Sequence, residues 1–246
     1  MSRKARKEKC NKYRKTQEGE PNLRVIDGGF QTRSRHTEVN IVPRNFHQDD
    51  LLGYLQDDNV NIIFAIGPAG TGKTLISTLA GIKQLKQNKI DKIVITRPAV
   101  NCEEDHGFLP GTLAEKMAPW VQPIIDHFEK YYSPDQLEYM INDKKIEIAP
   151  LAYMRGRNFS NSYIIADECQ LTTPSQMKML LTRIGEGSKL VITGDLDQAD
   201  RGADNGLKDF LDRIEAKQSS RIKIVRFDSS EIERHPVVQE VLDIYK

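Results

Sequence analysis

Eight consecutive residues, Gly67-Pro68-Ala69-Gly70-Thr71-Gly72-Lys73-Thr74, satisfy the pattern G-x-x-x-x-G-K-[ST]. Glycines in such a run let the backbone curl until successive N–H groups point inward, which makes a cradle for phosphate oxygens. A helix beginning inside the run adds the partial positive charge of its N-terminus. Lys73 is the expected partner of the β- and γ-phosphates, and the Thr74 hydroxyl is the expected Mg²⁺ ligand. A second polar group closes an apolar run, Tyr163-Ile164-Ile165-Ala166-Asp167-Glu168. Asp167, at the end of that run, can hold Mg²⁺ through water. Glu168 points elsewhere and can polarise a water for attack on the γ-phosphorus. A P-loop kinase needs no such base, so the pair favours hydrolysis. A third run, Leu190-Val191-Ile192-Thr193, ends in Gly194-Asp195-Leu196-Asp197-Gln198, where the Gln198 amide suits a bond to the γ-phosphate or to the attacking water. Each piece has a plainer reading as a glycine turn, a solvated acidic turn or a polar strand end. Their order and joint presence favour the catalytic one.

These groups need elements to hold them. A buried strand is expected over 60–66, before the glycine run, and a helix from about Gly72 to Gln87, where Leu75, Leu79, Ile82 and Leu85 keep a helical period. Further strands are expected at 92–96, 145–149, 163–167, 189–193 and 221–226, and a short helix at 47–56. Thr173-Pro174-Ser175-Gln176 offers an N-cap, a first-turn proline and a capping-box glutamine for a helix ending at Gly185. Another helix is expected from Leu113 to Phe128, made irregular by Pro119 and Pro123. A last one starts near Pro236, and 97–111 reads as a long loop. Short apolar strands alternating with helices predict an α/β fold around an open, mainly parallel sheet. Ligands of such sheets gather at the carboxyl ends of the strands.

Composition narrows the classes. Of the 246 residues, 38% are apolar and 29% charged, ordinary values for a folded domain. The longest apolar run, Ile62–Ile66, is far too short for a membrane span, and the basic start lacks the apolar stretch of a secretory signal. Cys10, Cys102 and Cys169 are odd in number and form no CxxC pair, which points to a reduced, cytoplasmic compartment. The formal charge of +1 hides a division: residues 1–15 hold eight Lys/Arg against Glu8 alone. Residues 1–40 therefore read as a basic arm. It is either a solvated leader or a tail that binds nucleic acid by counterion release.

The sequence resembles the PhoH-like (phosphate-starvation-inducible) P-loop ATPases across residues 43–246. The resemblance is carried by Gly67–Thr74, Thr96-Arg97-Pro98, Gly107-Phe108-Leu109-Pro110-Gly111, Arg155-Gly156-Arg157, Asp167-Glu168 with Gln170, Met177-Lys178-Met179, Gly194-Asp195 with Gln198, and Arg234-His235-Pro236. It implies a single RecA-like domain similar to the core of superfamily-one helicases, ATP binding and ATP hydrolysis. It also implies that Gln48 reads adenine. Cys169 stands where the family usually has alanine, and Asp200-Arg201 replaces a more apolar pair.

Extra positive charge at the γ-phosphate has five candidate sources: Arg97, Arg155, Arg157, Arg183 and Arg234. Arg234 is favoured because it precedes a helix-starting proline near the chain end, as the family's arginine does. Arg155 and Arg157 suit nucleic acid or a neighbouring subunit. Trp120 shares a helical register with Met117, Ile124 and Phe128, so core packing is expected over base stacking. Cys102 and His106 lack a second pair and read as an acidic surface loop. Related helicases close ATP between two such domains, whereas residues 43–246 supply one. A second wall then comes from another subunit in a homo-oligomer, a closed ring such as a hexamer being the plainest arrangement. Three functions follow in order: an ATPase coupled to single-stranded RNA or DNA, an ATP-dependent switch or assembly factor acting on a protein partner, and a small-molecule kinase.

Overall fold

The computed structural model describes residues 38–98, 113–199, 205–215, 217, 219–233, 237 and 244. Residues 1–37 of the basic arm, the 99–111 part of the long loop, Arg234 and the start of the last helix lie outside the described residues. Six strands form one sheet: β1 (Ile62–Ile66), β2 (Lys92–Thr96), β3 (Ile146–Ile148), β4 (Ser162–Ala166), β5 (Lys189–Gly194) and β6 (Ile222–Arg226). Their order is β3-β2-β4-β5-β1-β6, and every pairing is parallel. All six carboxyl ends therefore meet along one rim. This is the α/β fold around an open, parallel sheet that was expected.

The central strands β1, β2, β4 and β5 are buried on both faces, so their sequences read as nearly continuous apolar runs, whereas the edge strands β3 and β6 are partly exposed. Alternation then divides the side chains between two cores. Ile63 and Ala65 of β1, Tyr163 and Ile165 of β4, and Val191 of β5 pack on one face. They meet the helices α1 (Phe46–Gln56), α2 (Lys73–Lys86), α3 (Leu113–Phe128) and α4 (Pro134–Asn142). Ile62, Phe64, Ile164, Leu190 and Ile192 pack on the other face, beneath α5 (Pro174–Leu181) and α6 (Gly206–Glu215). At about 25 cal/mol per Å² of apolar surface, these two cores are the main force holding the rim in place.

One contact fixes the phosphate-loop helix to the strand carrying the carboxylates. The Tyr163 hydroxyl, fully buried on β4, donates to the Ser77 carbonyl of α2 at 2.9 Å. Gly81 makes room for it, since a Cβ there would stand 2.8 Å from the Tyr163 ring.

Several expectations change. The α3 helix runs continuously through Pro119 and Pro123. Its apolar stripe (Met117, Val121, Ile124 and Phe128) is buried, and that packing outweighs the lost backbone bonds. Trp120 is not core: it is 36% exposed, at the edge of the stripe. The α5 helix stops at Leu181 rather than Gly185, because the following segment turns to bridge, with Phe159 facing Ile184 and the Gly185 N–H donating to the Phe159 carbonyl. Helices α4 and α6 are additions that the sequence pattern did not announce.

Candidate functional site

The glycine run leaves the carboxyl end of β1 and enters α2, the strand–loop–helix context that phosphate binding needs. Gly67, Gly70 and Gly72 have φ of 142°, 90° and 83°. Gly67 is also sterically required, because a Cβ there would lie 2.4 Å from the Phe227 carbonyl oxygen beyond β6. Gly72 caps α2 in the left-handed region with no side-chain cap. The helix N-terminus is thus left for a ligand oxygen.

The loop is braced from three sides. From α1, the buried Gln48 amide donates to the Thr71 carbonyl at 3.0 Å, and its oxygen accepts from the Arg44 N–H at 2.8 Å. From β5, an Asp195 carboxylate oxygen accepts from the Ala69 N–H at 3.2 Å. From the far side of β6, the Glu233 N–H donates to the Gly70 carbonyl at 3.0 Å. Lys73 folds inward: Nζ donates to the Gly67 and Pro68 carbonyls at 2.7 and 2.6 Å. Burial lowers its pKa, and Asp195, Glu168 and Asp167 oppose that shift.

The carboxylates arrive from β4. Asp167, nearly buried, accepts on one oxygen from the Thr74 hydroxyl at 2.9 Å and from the Thr193 hydroxyl. Glu168 has φ 54°, a left-handed conformation uncommon for a residue with a Cβ. It turns its carboxylate away from that of Asp167, toward the Gln170 amide and Arg97. The Gln198 amide donates to the Asp195 carboxylate at 2.7 Å, and the Asp195 backbone N–H donates to Gln170 Oε1 at 3.2 Å. These ends meet in one cleft of about 250 Å³, whose lining includes Ala69, Gly70, Gly72, Lys73, Thr74, Asp167, Glu168, Asp195 and Gln198.

The structure thus places Gly67 to Thr74, Asp167, Glu168 and Gln198 at one rim, with Gln48 behind the loop. The sequence analysis gave no role to Thr193, Gln170 or Asp195. Asp195 was visible as part of a polar strand end and of the resemblance but without a role, because its link to Ala69 depends on β5 lying beside β1. The arginines separate. Arg183 caps α5 through the Met179 carbonyl and reaches the Arg157 carbonyl. Arg157 pairs with Glu147 and lies 4.6 Å from the Phe159 ring centroid. Arg155 is exposed, and Arg97 faces Glu168 at 3.9 Å.

The donor set suits a hard divalent cation: a carboxylate with a hydroxyl beside it, all oxygen. Thr74 and Asp167 are the residues that fit it. Elsewhere among the described residues, His47, Asp228 and Glu231 come within 4.8 Å of one another. Their oxygens already cap a turn: Asp228 accepts from the Ser230 N–H, and Glu231 accepts from the Asp228 N–H and bonds His47. Cys169 is a buried free thiol whose pKa is pushed well up, first by burial and then by the two neighbouring carboxylates. No helix among the described residues is long and apolar enough to cross a membrane.

Known proteins resemble this chain over most of its length. A PhoH-like protein of Bacillus subtilis is 44% identical over 190 residues, covering 75% of this chain and 58% of the relative. Protein PhoH of Escherichia coli K12 is 40% identical over 222 residues, covering 88% and 61%. A PhoH-like protein of Synechocystis is 38% identical over 216 residues, covering 87% and 64%. The chain therefore spans about 58–64% of the length of these relatives. Among solved structures, a SWI2/SNF2 ATPase core of Sulfolobus solfataricus in complex with double-stranded DNA is 15% identical, covers 81% of this chain and 47% of its own, and has a TM-score of 0.45. The Pif1 helicase of Candida albicans is 16% identical, covers 82% and 43%, and has a TM-score of 0.40. The family model described as PhoH-like protein matches residues 40–246. By that match, and by relatives about two-fifths identical, the chain belongs to the PhoH-like protein family.

Proposed function

We propose that this chain is a Mg²⁺-dependent ATPase, coupled to single-stranded RNA or DNA and working as a cytoplasmic homo-oligomer. One observation carries the reading: Lys73, Thr74, Asp167, Glu168 and Gln198, drawn from three separate strand ends, line a single cleft. In this reading the loop N–H groups and Lys73 bind the β- and γ-phosphates. Thr74 and Asp167 hold Mg²⁺, which when bound neutralises charge developing on the phosphate oxygens. Glu168 takes a proton from the attacking water, and Gln198 orients that water or the γ-phosphate. For Gln48 to read adenine, its amide must exchange one of its two backbone bonds for the base. Arg234 supplies a positive charge to the γ-phosphate of its own or a neighbouring subunit.

Support for nucleic acid comes from the rim beyond β2 and β3. Trp120 of α3, and Tyr153 and Arg155 in the segment after β3, are exposed aromatic and basic groups of the kinds that suit stacked bases and a phosphate backbone. The test measures ATP hydrolysis with and without single-stranded RNA and DNA, with the mass in solution determined alongside. The expected result is turnover stimulated by a single strand, falling steeply with salt, from a species larger than a monomer. Turnover raised only by a protein partner would favour the switch reading, and phosphate transfer to a metabolite would favour the kinase. A fully active monomer would remove the oligomer.

A further inference from the structure

Arg97 leaves the carboxyl end of β2 between two groups that have no sequence relation to each other. On one side its guanidinium lies over the Trp120 ring, 5.6 Å from the centroid, and Nη1 donates to the Trp120 carbonyl at 3.0 Å. On the other side Nη2 stands 3.9 Å from Glu168 Oε1. The Arg97 side chain is 19% exposed, and its Nε is buried without a hydrogen-bond partner. A planar guanidinium can stack on a ring and face a carboxylate at once, which an ammonium cannot. Glu168 itself has limited freedom. Its backbone is left-handed, and its other oxygen accepts from the Gln170 amide.

We infer that Arg97 is a positioning residue for Glu168, and that Trp120 sets how far Arg97 reaches, so the two form a relay between the outer face of α3 and the base. The inference rests on the hydrolytic reading above. An unfilled Nε and a 3.9 Å approach leave the guanidinium room to tighten on Glu168 or to withdraw. Whatever moves Trp120 changes the field and the orientation at Glu168. By reciprocity, a change at Glu168 on nucleotide binding is felt at Trp120.

Trp120 is the single tryptophan of the chain, so its emission reports this link without a label. The test follows the full chain by steady-state ATP hydrolysis and by tryptophan emission on adding ATP and Mg²⁺. Arg97→Ala is expected to lower kcat by about tenfold or more while leaving KM for ATP within about twofold, the pattern of an interaction that matters in the transition state. The same variant is expected to lose the ATP-dependent emission change seen in the parent chain. Arg97→Lys, which keeps the charge but not the planar fork, is expected to recover part of kcat and none of the emission change. Trp120→Leu, which removes the ring but keeps the carbonyl, is expected to fall between the parent and Arg97→Ala in kcat.

If the parent hydrolyses ATP and Arg97→Ala turns over at the same rate, or keeps the same emission response, the relay is wrong and the hydrolytic reading survives. If Arg97→Lys matches Arg97→Ala in kcat while Trp120→Leu is unaffected, the link to Trp120 is wrong. A parent chain that binds no nucleotide removes both the hydrolytic reading and the relay.

Discussion

Around β1 the polar groups of the phosphate loop are tied to the rest of the chain, whereas at the end of β2 two buried polar atoms lack hydrogen-bond partners and Arg97 faces Glu168 only loosely. Gln48, Asp195 and the Glu233 backbone each bond the loop, and Lys73 bridges its carbonyls. On the other side, Thr96 Oγ1 and Arg97 Nε are buried without partners, and Glu168 meets its cation only at 3.9 Å. On the proposed reading, the first half is preorganised for a phosphate. The second can still change its bonding as charge develops, which is where a transition state is told apart from a ground state.

Removing Lys73 breaks the first half outright and is the largest effect expected. Lys73→Ala deletes the cation for the phosphates and unties Gly67 and Pro68. We expect loss of nucleotide retention and a fall of about 10³-fold or more in hydrolysis. Equilibrium binding of a fluorescent ATP analogue checks it, and retention at parental affinity would show that the β1 half is not the binding half. Glu168→Gln breaks the second half alone. ATP should remain bound while its cleavage slows by about 10² to 10⁴, the range for a lost general base. Single-turnover hydrolysis separates these, and an unchanged rate would place the base elsewhere.

A glycine pair sharpens the contrast through stability. Gly67→Ala meets both a positive φ and a carbonyl oxygen 2.4 Å from the new Cβ. Gly156→Ala, in the loop after β3, meets a φ of 77° and nothing within 4 Å. The second should cost about 1–2 kcal/mol, the left-handed penalty alone, and the first clearly more, because β6 must shift as well. Urea denaturation of the two variants checks the order. Equal losses would mean that the β1 half is less tightly fixed than its contacts imply.

The legible parts are those whose geometry is local. The glycine run dictates its own turn and the helix after it, and the central strands show as apolar runs because both faces are covered. Helix α6 went unread because its ten residues start at Gly206, whose glycine is explained only by the Thr173 carbonyl oxygen, 2.3 Å from where a Cβ would sit. Helix α4 carries the same kind of capping box as α5, Ser133 with Gln136, yet buries only Leu137 and Met140, too few to mark a stripe. Trp120 was misplaced for a tertiary reason. Its spacing puts it near the stripe, but the partner that draws the ring is Arg97 from β2. Asp195 and Thr193 gain their roles from strand neighbours, and a single strand's sequence does not name its neighbour.

The smallest effect comes from the opposite rim, where a second buried lysine serves no ligand. Lys189 begins β5 and donates to the Tyr54 and Asp57 carbonyls at 3.2 and 2.7 Å, closing the end of α1. Burial lowers its pKa from 10.5 to about 8, with Asp58 and Asp57 opposing the shift. Below about pH 8 both the folded and the unfolded chain carry this proton, and the full cost of burying the charge is present. Between about 8 and 10.5 the folded chain has released the proton and the unfolded chain has not, so this contribution to stability rises with pH. Tyr163, held neutral by burial, acts in the opposite sense once unfolded tyrosines ionise, so the useful window closes near pH 10. Denaturation midpoints of the parent chain and of Lys189→Met, measured from about pH 7.5 to 9.5, should diverge in slope, the parent gaining relative to the variant. Burial lowers the pKa of Lys73 as well, against three carboxylates, so Lys73→Met should show a slope of the same sign. Parallel curves for Lys189→Met would mean that its charge is solvated at the rim, and that burial of a lysine is a feature of the site alone.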